Sequence, residues 1–465
     1  MKNALWGFFC LFCMTIDAVS ATQKPNILLI YTDDQTFDSI HALGNPEIQT
    51  PNLDRLARAG TSFANCYNLG GWHGAICVAS RTMLNTGRML VNAYQVEASL
   101  AEEAKARRFW SQQLHDAGYR TYMTGKWHLA GVAPSNVFDV VRLVRSGGMP
   151  PDTKAAYNRP NEGQEDLWKP DDPAQKGYWL GGRHWSEEQA EVVIDYLHEA
   201  ARTPNQPFFI YAAFNAPHDP RQSPKAYVDR YPPEKIKIPE NFQPQHPDAQ
   251  AIGVPSTLRD EALAPTPRTP HAVQVHRAEY YAIITHLDAQ IGRILDALEA
   301  AGLRDSTYIF LTADNGLSVG QHGLMGKQNM YEHSLKVPFI AVGKTIATNC
   351  VIQTPICLQD VVPTTFELAQ ITIPAHVEFT SLLPLFSGKE MPHYPLIACA
   401  YMDLQRMVRK GDFKLIYYPP LDRYQLFNLR DDPHELRDIY KDSANLPFVA
   451  ELRAALVPAF LKKKP

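Results

Sequence analysis

The chain has 465 residues, 45% apolar and 20% charged, an ordinary globular balance that excludes extended disorder. Its formal net charge is −4 with no basic run, which argues against nucleic acid as a partner, because a phosphate backbone needs a concentrated positive face.

Met1-Lys2-Asn3 is followed by a short apolar run to Ile16 and then by Val19-Ser20-Ala21. A basic start, an apolar core and small residues before a cleavage point predict a signal peptide over 1–21. The run is too short to span a bilayer, and no later segment is apolar enough to do so. The expectation is an exported protein, periplasmic or extracellular, that does not cross a membrane. Five cysteines remain after the leader: Cys66, Cys77, Cys350, Cys357 and Cys399. An odd number leaves at least one thiol unpaired or modified. Cys350 and Cys357 either pair or are two buried thiols, and the count is too low for a disulfide framework.

Residues 25–31 form a continuous apolar run, as expected of a parallel strand buried on both faces, and the run stops at Thr32-Asp33-Asp34. Thr50-Pro51 opens a helix closed by Gly60, and 61–67 is a second strand candidate. Three glycines, Gly70, Gly71 and Gly74, precede Cys77, and 80–86 reads as a short helix with Gly87 as its C-cap. Cys77 then lies at a helix N-terminus, where free N–H groups favour negative charge. A lone cysteine is otherwise most often a small buried hydrophobe.

Residues 109–117 read as a helix ended by Gly118, and 119–124 as a strand running into Gly125-Lys126-Trp127-His128. The stretch 132–182 is rich in Pro, Gly and charge and reads as loops. Ser186 and Gln189 have capping-box spacing for a helix to about residue 200. Residues 208–214 are another buried strand, ending before Asn215-Ala216-Pro217-His218. Twelve prolines between 217 and 270 exclude long helices and central strands, and the segment reads as a loop excursion walling a cleft. A long helix at 275–301 stops at Gly302, a strand at 308–311 ends in Asp314-Asn315-Gly316, and 337–342 and 360–368 are one more strand and helix. The alternation implies an α/β fold, a mostly parallel mixed sheet sandwiched by helices. The tail, with strand candidates at 406–409, 413–417 and 424–427 and a helix at 446–461, reads as a small C-terminal antiparallel sheet plus helix. The expected division is a catalytic domain at 22–392 and a subdomain at 393–465.

The polar groups cluster after strand ends, where open α/β sheets bind ligands. Asp33 and Asp34 repel one another unless a cation or proton holds them. With Asp314 and Asn315 they form a hard oxygen set that suits Ca2+ or Mg2+ rather than zinc. Lys126, His128, His218 and Lys327 add cationic or proton-carrying groups. Such a basin fits a tetrahedral oxyanion, a sulfate or a phosphate.

Cys77-Val78-Ala79-Ser80-Arg81 with Thr86-Gly87-Arg88 resembles the sulfatase signature. Asp33-Asp34, Gly125-Lys126-Trp127-His128, Ala216-Pro217-His218, Asp314-Asn315-Gly316, Gly326-Lys327 and, in the tail, Asp432-Pro433 resemble further blocks of that family in order, over roughly 24–440. The resemblance implies an alkaline-phosphatase-like fold and an exported enzyme that hydrolyses sulfate esters, with a sulfated carbohydrate as the leading substrate class. It implies that Cys77 is oxidised to formylglycine (3-oxoalanine), whose hydrate is the nucleophile. It makes Asp33, Asp34, Asp314, Asn315 and the modified Cys77 ligands of Ca2+, ahead of Mg2+. Arg81 and Lys126 would brace the formylglycine and the sulfate, and Lys327 would hold sulfate and the leaving oxygen. His218 would act as acid and His128 as base, two roles open to exchange. Ala79 stands where the family usually has proline, a variant that resembles the targets of a radical-type maturation enzyme. His184, Trp185, Arg221 and Arg406 are further candidates for contact with a sugar ring or second anion. The competing readings are a phosphatase or phosphodiesterase of the alkaline phosphatase clan and a non-catalytic glycan-binding relative. Oligomeric state is not legible in the sequence.

Overall fold

The protein is described by a computed structural model covering residues 24–145, 147 and 154–460, the last four of these by backbone only. The expected leader at 1–21 lies outside the described residues.

An eight-stranded sheet organises the molecule, in the order Cys350–Ile352, Thr61–Phe63, Phe339–Val342, Thr307–Ala313, Asn26–Thr32, Phe208–Ala213, Arg120–Lys126 and Val140–Arg145. Every strand but Phe339–Val342 runs the same way. The apolar run at Asn26–Thr32 lies at the centre with all seven residues buried. Ile27, Leu29 and Tyr31 pack on one face with Trp110, Phe209 and Phe310, while Leu28 and Ile30 pack on the other with Ile283, Leu287 and Ile291. That two-sided burial is why the strand has no polar alternation. The helices Trp185–Ala201 and Pro270–Ala300 cover the second face.

A second, five-stranded sheet contains Ile397–Tyr401, Gln405–Lys410, Phe413–Tyr418 and Arg423–Asn428, packed on the helix Pro447–Phe460. Its fifth strand is Gly70–Gly71, from the loop that carries Cys77, paired in parallel with Ala400 and Tyr401. Gly70 has φ 89°, and a Cβ there would stand 2.0 Å from the Ala400 carbonyl oxygen. Only glycine permits this approach, so the loop bearing Cys77 is tied directly to the C-terminal sheet.

Several local expectations are corrected. The 61–67 candidate is two strands, Thr61–Phe63 and Cys66–Tyr67, in different sheets. The stretch read wholly as loops contains the edge strand Val140–Arg145. The Ser186 capping box does not form: the N-cap is His184, whose side chain accepts from the Ser186 N–H, and Gln189 instead donates to the Ala213 carbonyl. The long helix starts earlier, at Pro270, capped by Thr269. Cys66, Cys77, Cys350, Cys357 and Cys399 are all free thiols.

Candidate active site

Four adjacent parallel strands end at one edge of the main sheet. Thr307–Ala313 delivers Asp314 and Asn315, Asn26–Thr32 delivers Asp33 and Asp34, Phe208–Ala213 leads to His218, and Arg120–Lys126 ends in Lys126. Asp34 turns the chain with φ 64°. A non-glycine residue there costs on the order of 1 kcal/mol or more. The turn is held by the Asp34 N–H donating to Asp314 Oδ1 at 3.1 Å and by the Tyr280 hydroxyl donating to the Asp34 carbonyl at 2.7 Å. Gly125, at φ 95°, carries a register shift just before Lys126, and a Cβ there would meet the Ala213 oxygen at 1.9 Å.

Cys77 lies in the first turn of the helix Ile76–Thr86 and is buried. Its Sγ stands 3.2 Å from Asp33 Oδ1, 3.6 Å from Asp34 Oδ1, 3.5 Å from Asn315 Oδ1 and 3.1 Å from Lys327 Nζ. Burial, then Asp314 and Asp33, push this thiol well above its ordinary range. The basin therefore does not make a thiolate, which is the reactive form of cysteine.

The surrounding charges are almost wholly shielded from water. Lys126 Nζ pairs with Asp33 Oδ2, and Lys327 Nζ donates to Asp34 Oδ1 and Oδ2 at 2.6 and 2.8 Å. Arg81 donates from Nε to Asp314 Oδ2 at 3.1 Å and from Nη1 to the Lys126 carbonyl at 2.8 Å. Burial alone would raise Asp33, but Lys126 and the other cations hold it well below the usual carboxylate range. Asp314 is pushed up to about 7 by burial and by the charge of Asp33. Three carboxylates thus converge on one place, each beside a buried cation, Lys126, Lys327 or Arg81. The donors are hard oxygens from Asp33, Asp34, Asp314 and Asn315, and this set fits a divalent cation such as Ca2+. Asp33, Asp34, Cys77 and His218 bring ligand atoms within 4.8 Å of one another.

Two histidines flank the basin. His128 has φ 59° and a buried Nδ1 without a hydrogen-bond partner among the described residues. Burial, then the Lys126 and Arg81 charges, press it down to about 2, so it is a neutral imidazole. His218 places Nδ1 2.7 Å from the Asp219 carbonyl and Nε2 3.7 Å from Asp34 Oδ2.

The proposed sugar contacts lie elsewhere. His184 is buried, stacked 5.0 Å from Tyr178, with Nε2 against the Gln222 carbonyl. Trp185 donates from Nε1 to the Leu180 carbonyl beneath the Arg145 guanidinium. Arg221 is buried over the Tyr280 ring, with Nη1 3.5 Å from His276 Nδ1. Arg406 braces its own turn through the Gln405 carbonyl and Asp403. His184 and Trp185 thus meet interior partners and Arg406 local ones, whereas Arg221 keeps Nε and Nη2 buried without a hydrogen-bond partner among the described residues. Sequence reasoning missed Asp219, Arg259, Asp260 and Gln328, which join across the mouth. Arg259 Nη1 meets Asp219 Oδ2 at 2.8 Å, Arg259 Nη2 pairs with Asp260, and Gln328 links Asp260 to the Gly74 carbonyl. The available signal was the charged run Arg259-Asp260-Glu261 inside the proline-rich excursion.

A sulfatase family model matches residues 25–371, and a model of the N-sulphoglucosamine sulphohydrolase C-terminal region matches 320–460. An N-acetylglucosamine-6-O-sulfatase of Bacteroides thetaiotaomicron is 25% identical over 90% of this chain and 83% of its own. A structure solved in complex with its substrate D-glucosamine-2-N,6-O-disulfate superposes with TM-score 0.71 at 21% identity, covering 94% of this chain and 97% of the other. The phosphonate monoester hydrolase of Agrobacterium radiobacter superposes with TM-score 0.69 at 18% identity, covering 94% and 95%. Both superpositions show the alkaline-phosphatase-like fold.

Proposed function

This chain belongs to the sulfatase family and is a sulfuric ester hydrolase, and from that premise we propose that it is exported and removes sulfate from a sulfated carbohydrate, using formylglycine formed from Cys77 and a Ca2+ ion. The observation that carries the reading is the setting of Cys77. A buried thiol held in its neutral form, between oxygen ligands and Lys327, is a poor thiolate nucleophile but stands where an oxygen nucleophile would meet a cation and an anion. The sugar class rests on the relatives: one is named for N-acetylglucosamine 6-sulfate, and one holds a sulfated glucosamine as its substrate.

Formylglycine, when formed, supplies a geminal diol as nucleophile, and Ca2+ held by Asp33, Asp34, Asp314 and Asn315 supplies charge neutralisation. The chain's own groups do the rest. Lys327 and Lys126 present ammonium groups to the sulfate oxygens, and Lys327 is kept charged because the carboxylates of Asp34, Asp260 and Asp33 outweigh its burial. Arg81, wholly buried, fixes Asp314 to the end of the Lys126 strand. His218, whose Nδ1–H donates to the Asp219 carbonyl, turns Nε2 towards the departing oxygen and would carry a proton there in its imidazolium form. The neutral His128 accepts a proton at a ring nitrogen. A phosphatase reading would call for a Ser or Thr nucleophile and a His-rich zinc set, whereas a single histidine joins this cluster. A glycan-binding relative would lack a catalytic group, and the sequence carries a residue for each expected role.

The test is co-expression with a radical-type maturation enzyme, which Ala79 favours. Mass spectrometry of the peptide bearing residue 77 should show a loss of about 18 Da, the thiol-to-aldehyde exchange. The matured protein should then release sulfate from at least one sulfated mono- or disaccharide and leave matched phosphate esters largely intact. A converted protein that releases sulfate only from non-sugar esters would overturn the carbohydrate assignment.

A further inference from the structure

The basin around Cys77 is nearly closed. His218 and Lys327 have side chains only 5% and 3% exposed. Arg259, by contrast, is 45% exposed while its guanidinium still reaches inward. Its Nη2 lies 3.2 Å from His218 Nε2, the nitrogen assigned above to the departing oxygen. The alcohol portion of any substrate must extend towards solvent, and Arg259 is a part-exposed side chain that reaches this nitrogen.

The guanidinium is also held in place. Nη1 pairs with Asp219 Oδ2 at 2.8 Å and reaches the Tyr157 hydroxyl at 3.5 Å, and Nη2 pairs with Asp260 Oδ1. Asp260 accepts from Gln328 at 2.7 Å, and Gln328 in turn holds the Gly74 carbonyl at 3.0 Å in the loop before Cys77. The next residue, Glu261, accepts from the Met325 and Gly326 N–H groups at 3.0 and 2.9 Å, just before Lys327. The segment 259–261 therefore ties Arg259 to the nucleophile loop and to the lysine loop together. A donor fixed before the reaction is worth more than one that must be ordered during it.

We propose that Arg259 is a further catalytic residue of the hydrolysis, whose Nη2–H donates to the departing alcohol oxygen beside His218 Nε2. The inference rests on the sulfatase reading above. As the S–O bond breaks, its electron pair stays on the alcohol oxygen, which takes the Nε2 proton of the His218 imidazolium and a hydrogen bond from Arg259, leaving a neutral ring with Nδ1–H on the Asp219 carbonyl. An oxygen lying against both nitrogens exchanges the present Arg259–His218 contact for one to each. The benefit scales with the negative charge on that oxygen, so a sugar alcohol, a poor leaving group, depends on it more than a nitrophenol.

The discriminating experiment is a leaving-group series with matured wild type, Arg259→Ala and Arg259→Lys. The substrates are 4-nitrophenyl sulfate, phenyl sulfate and the best sulfated sugar from the panel above. For Arg259→Ala we expect kcat on the sugar sulfate to fall about 10²-fold, the low end for loss of one preorganised donor. On 4-nitrophenyl sulfate the fall should be less than about 3-fold, because its oxygen departs with little charge to stabilise. Arg259→Lys should restore part of the sugar activity. Equal losses on all three substrates, at an unchanged melting temperature, would show a structural role and overturn the proposal. A rise in KM with kcat preserved would also overturn it, marking Arg259 as a binding residue only. If wild type cleaves aryl sulfates but no sugar, the carbohydrate reading fails, and the slope between phenyl and 4-nitrophenyl sulfate still decides the role of Arg259.

Discussion

Two buried charge clusters in this molecule look alike by composition and differ in what their atoms have left to do. In the basin, Asp33, Asp34 and Asp314 face Arg81, Lys126 and Lys327. In the knot between the catalytic loops and the C-terminal sheet, Glu332 and Glu435 face Lys414, with Arg409 and Lys336 close by. Two histidines, His322 and His333, complete a metal-like group with Glu435. The carboxylates of the knot are paired with Lys414, while His333 Nε2 is buried without a hydrogen-bond partner among the described residues. Glu332 accepts from Lys414 Nζ at 2.9 Å and from the Tyr67 hydroxyl at 2.7 Å, and Glu435 accepts from the Glu332 N–H at 2.7 Å and has Lys414 Nζ at 2.7 Å. His322 is engaged by Asn241 and stacked 3.9 Å from Tyr331. In the basin the carboxylates are paired as well, but Cys77 Sγ lies among their partners. A cluster whose pairs close on one another ties segments together, and one that encloses the residue to be modified presents that residue to a ligand.

The largest effect that separates the two clusters should come from Cys77→Ala. Loss of the nucleophile should lower kcat by about 10⁴-fold or more while the melting temperature barely moves. In the knot, Lys414→Met leaves two buried carboxylates without their shared cation and should cost about 3 kcal/mol of stability. Urea unfolding should show this as a lower midpoint, while folded protein at 25 °C keeps its turnover. If Lys414→Met removed activity without destabilising, the contrast would collapse.

Exhaustive chelation should lower sulfate release by at least about 10²-fold, with recovery on adding Ca2+, because the basin's carboxylates lose their neutralising charge. The same treatment should leave the urea midpoint of a Cys77→Ala protein shifted only by the binding energy of that ion.

A smaller effect concerns pH. Burial would raise Glu332, but Lys414, Lys336 and Arg409 outweigh it and hold it down to about 2. A carboxyl lowered on folding contributes stability above its unfolded value, near 4.3, and loses it as pH falls towards 2. Stability between pH 5 and 2.5 should therefore drop by roughly 2 kcal/mol more in wild type than in Glu332→Gln, whose stability starts lower. The smallest effect should be that of Arg406→Ala, less than about 2-fold in kcat/KM on any sugar sulfate, since that side chain braces its own turn.

Part of the basin was legible because several of its groups follow an apolar run directly, as Cys77, Arg81 and Lys327 do not. Asp33, His218 and Asp314 come within a few residues of a strand whose burial requires unbroken hydrophobicity, and a strand end in a parallel sheet is a ligand-facing place. His184 and Trp185 were misread because residue type does not say which face of a helix start looks inward. His184 serves as a cap and Trp185 as packing. The capping-box spacing at Ser186 failed for the same reason: tertiary demand drew Gln189 to the Ala213 carbonyl.

The sequence by itself determined the chemistry of the strand-end groups and the helix that presents Cys77, because hydrophobic period and glycine placement act over a few residues. Only the tertiary structure decided which distant residues meet. The sheet order sets the Asn26–Thr32 strand between Thr307–Ala313 and Phe208–Ala213, bringing Asp314 within reach of Asp34 across 280 positions. The same closure seats Gly70 in the C-terminal sheet and turns Arg259 towards His218. Such pairings follow from how crossovers stack the sheet and where water is left access, and no local pattern encodes either.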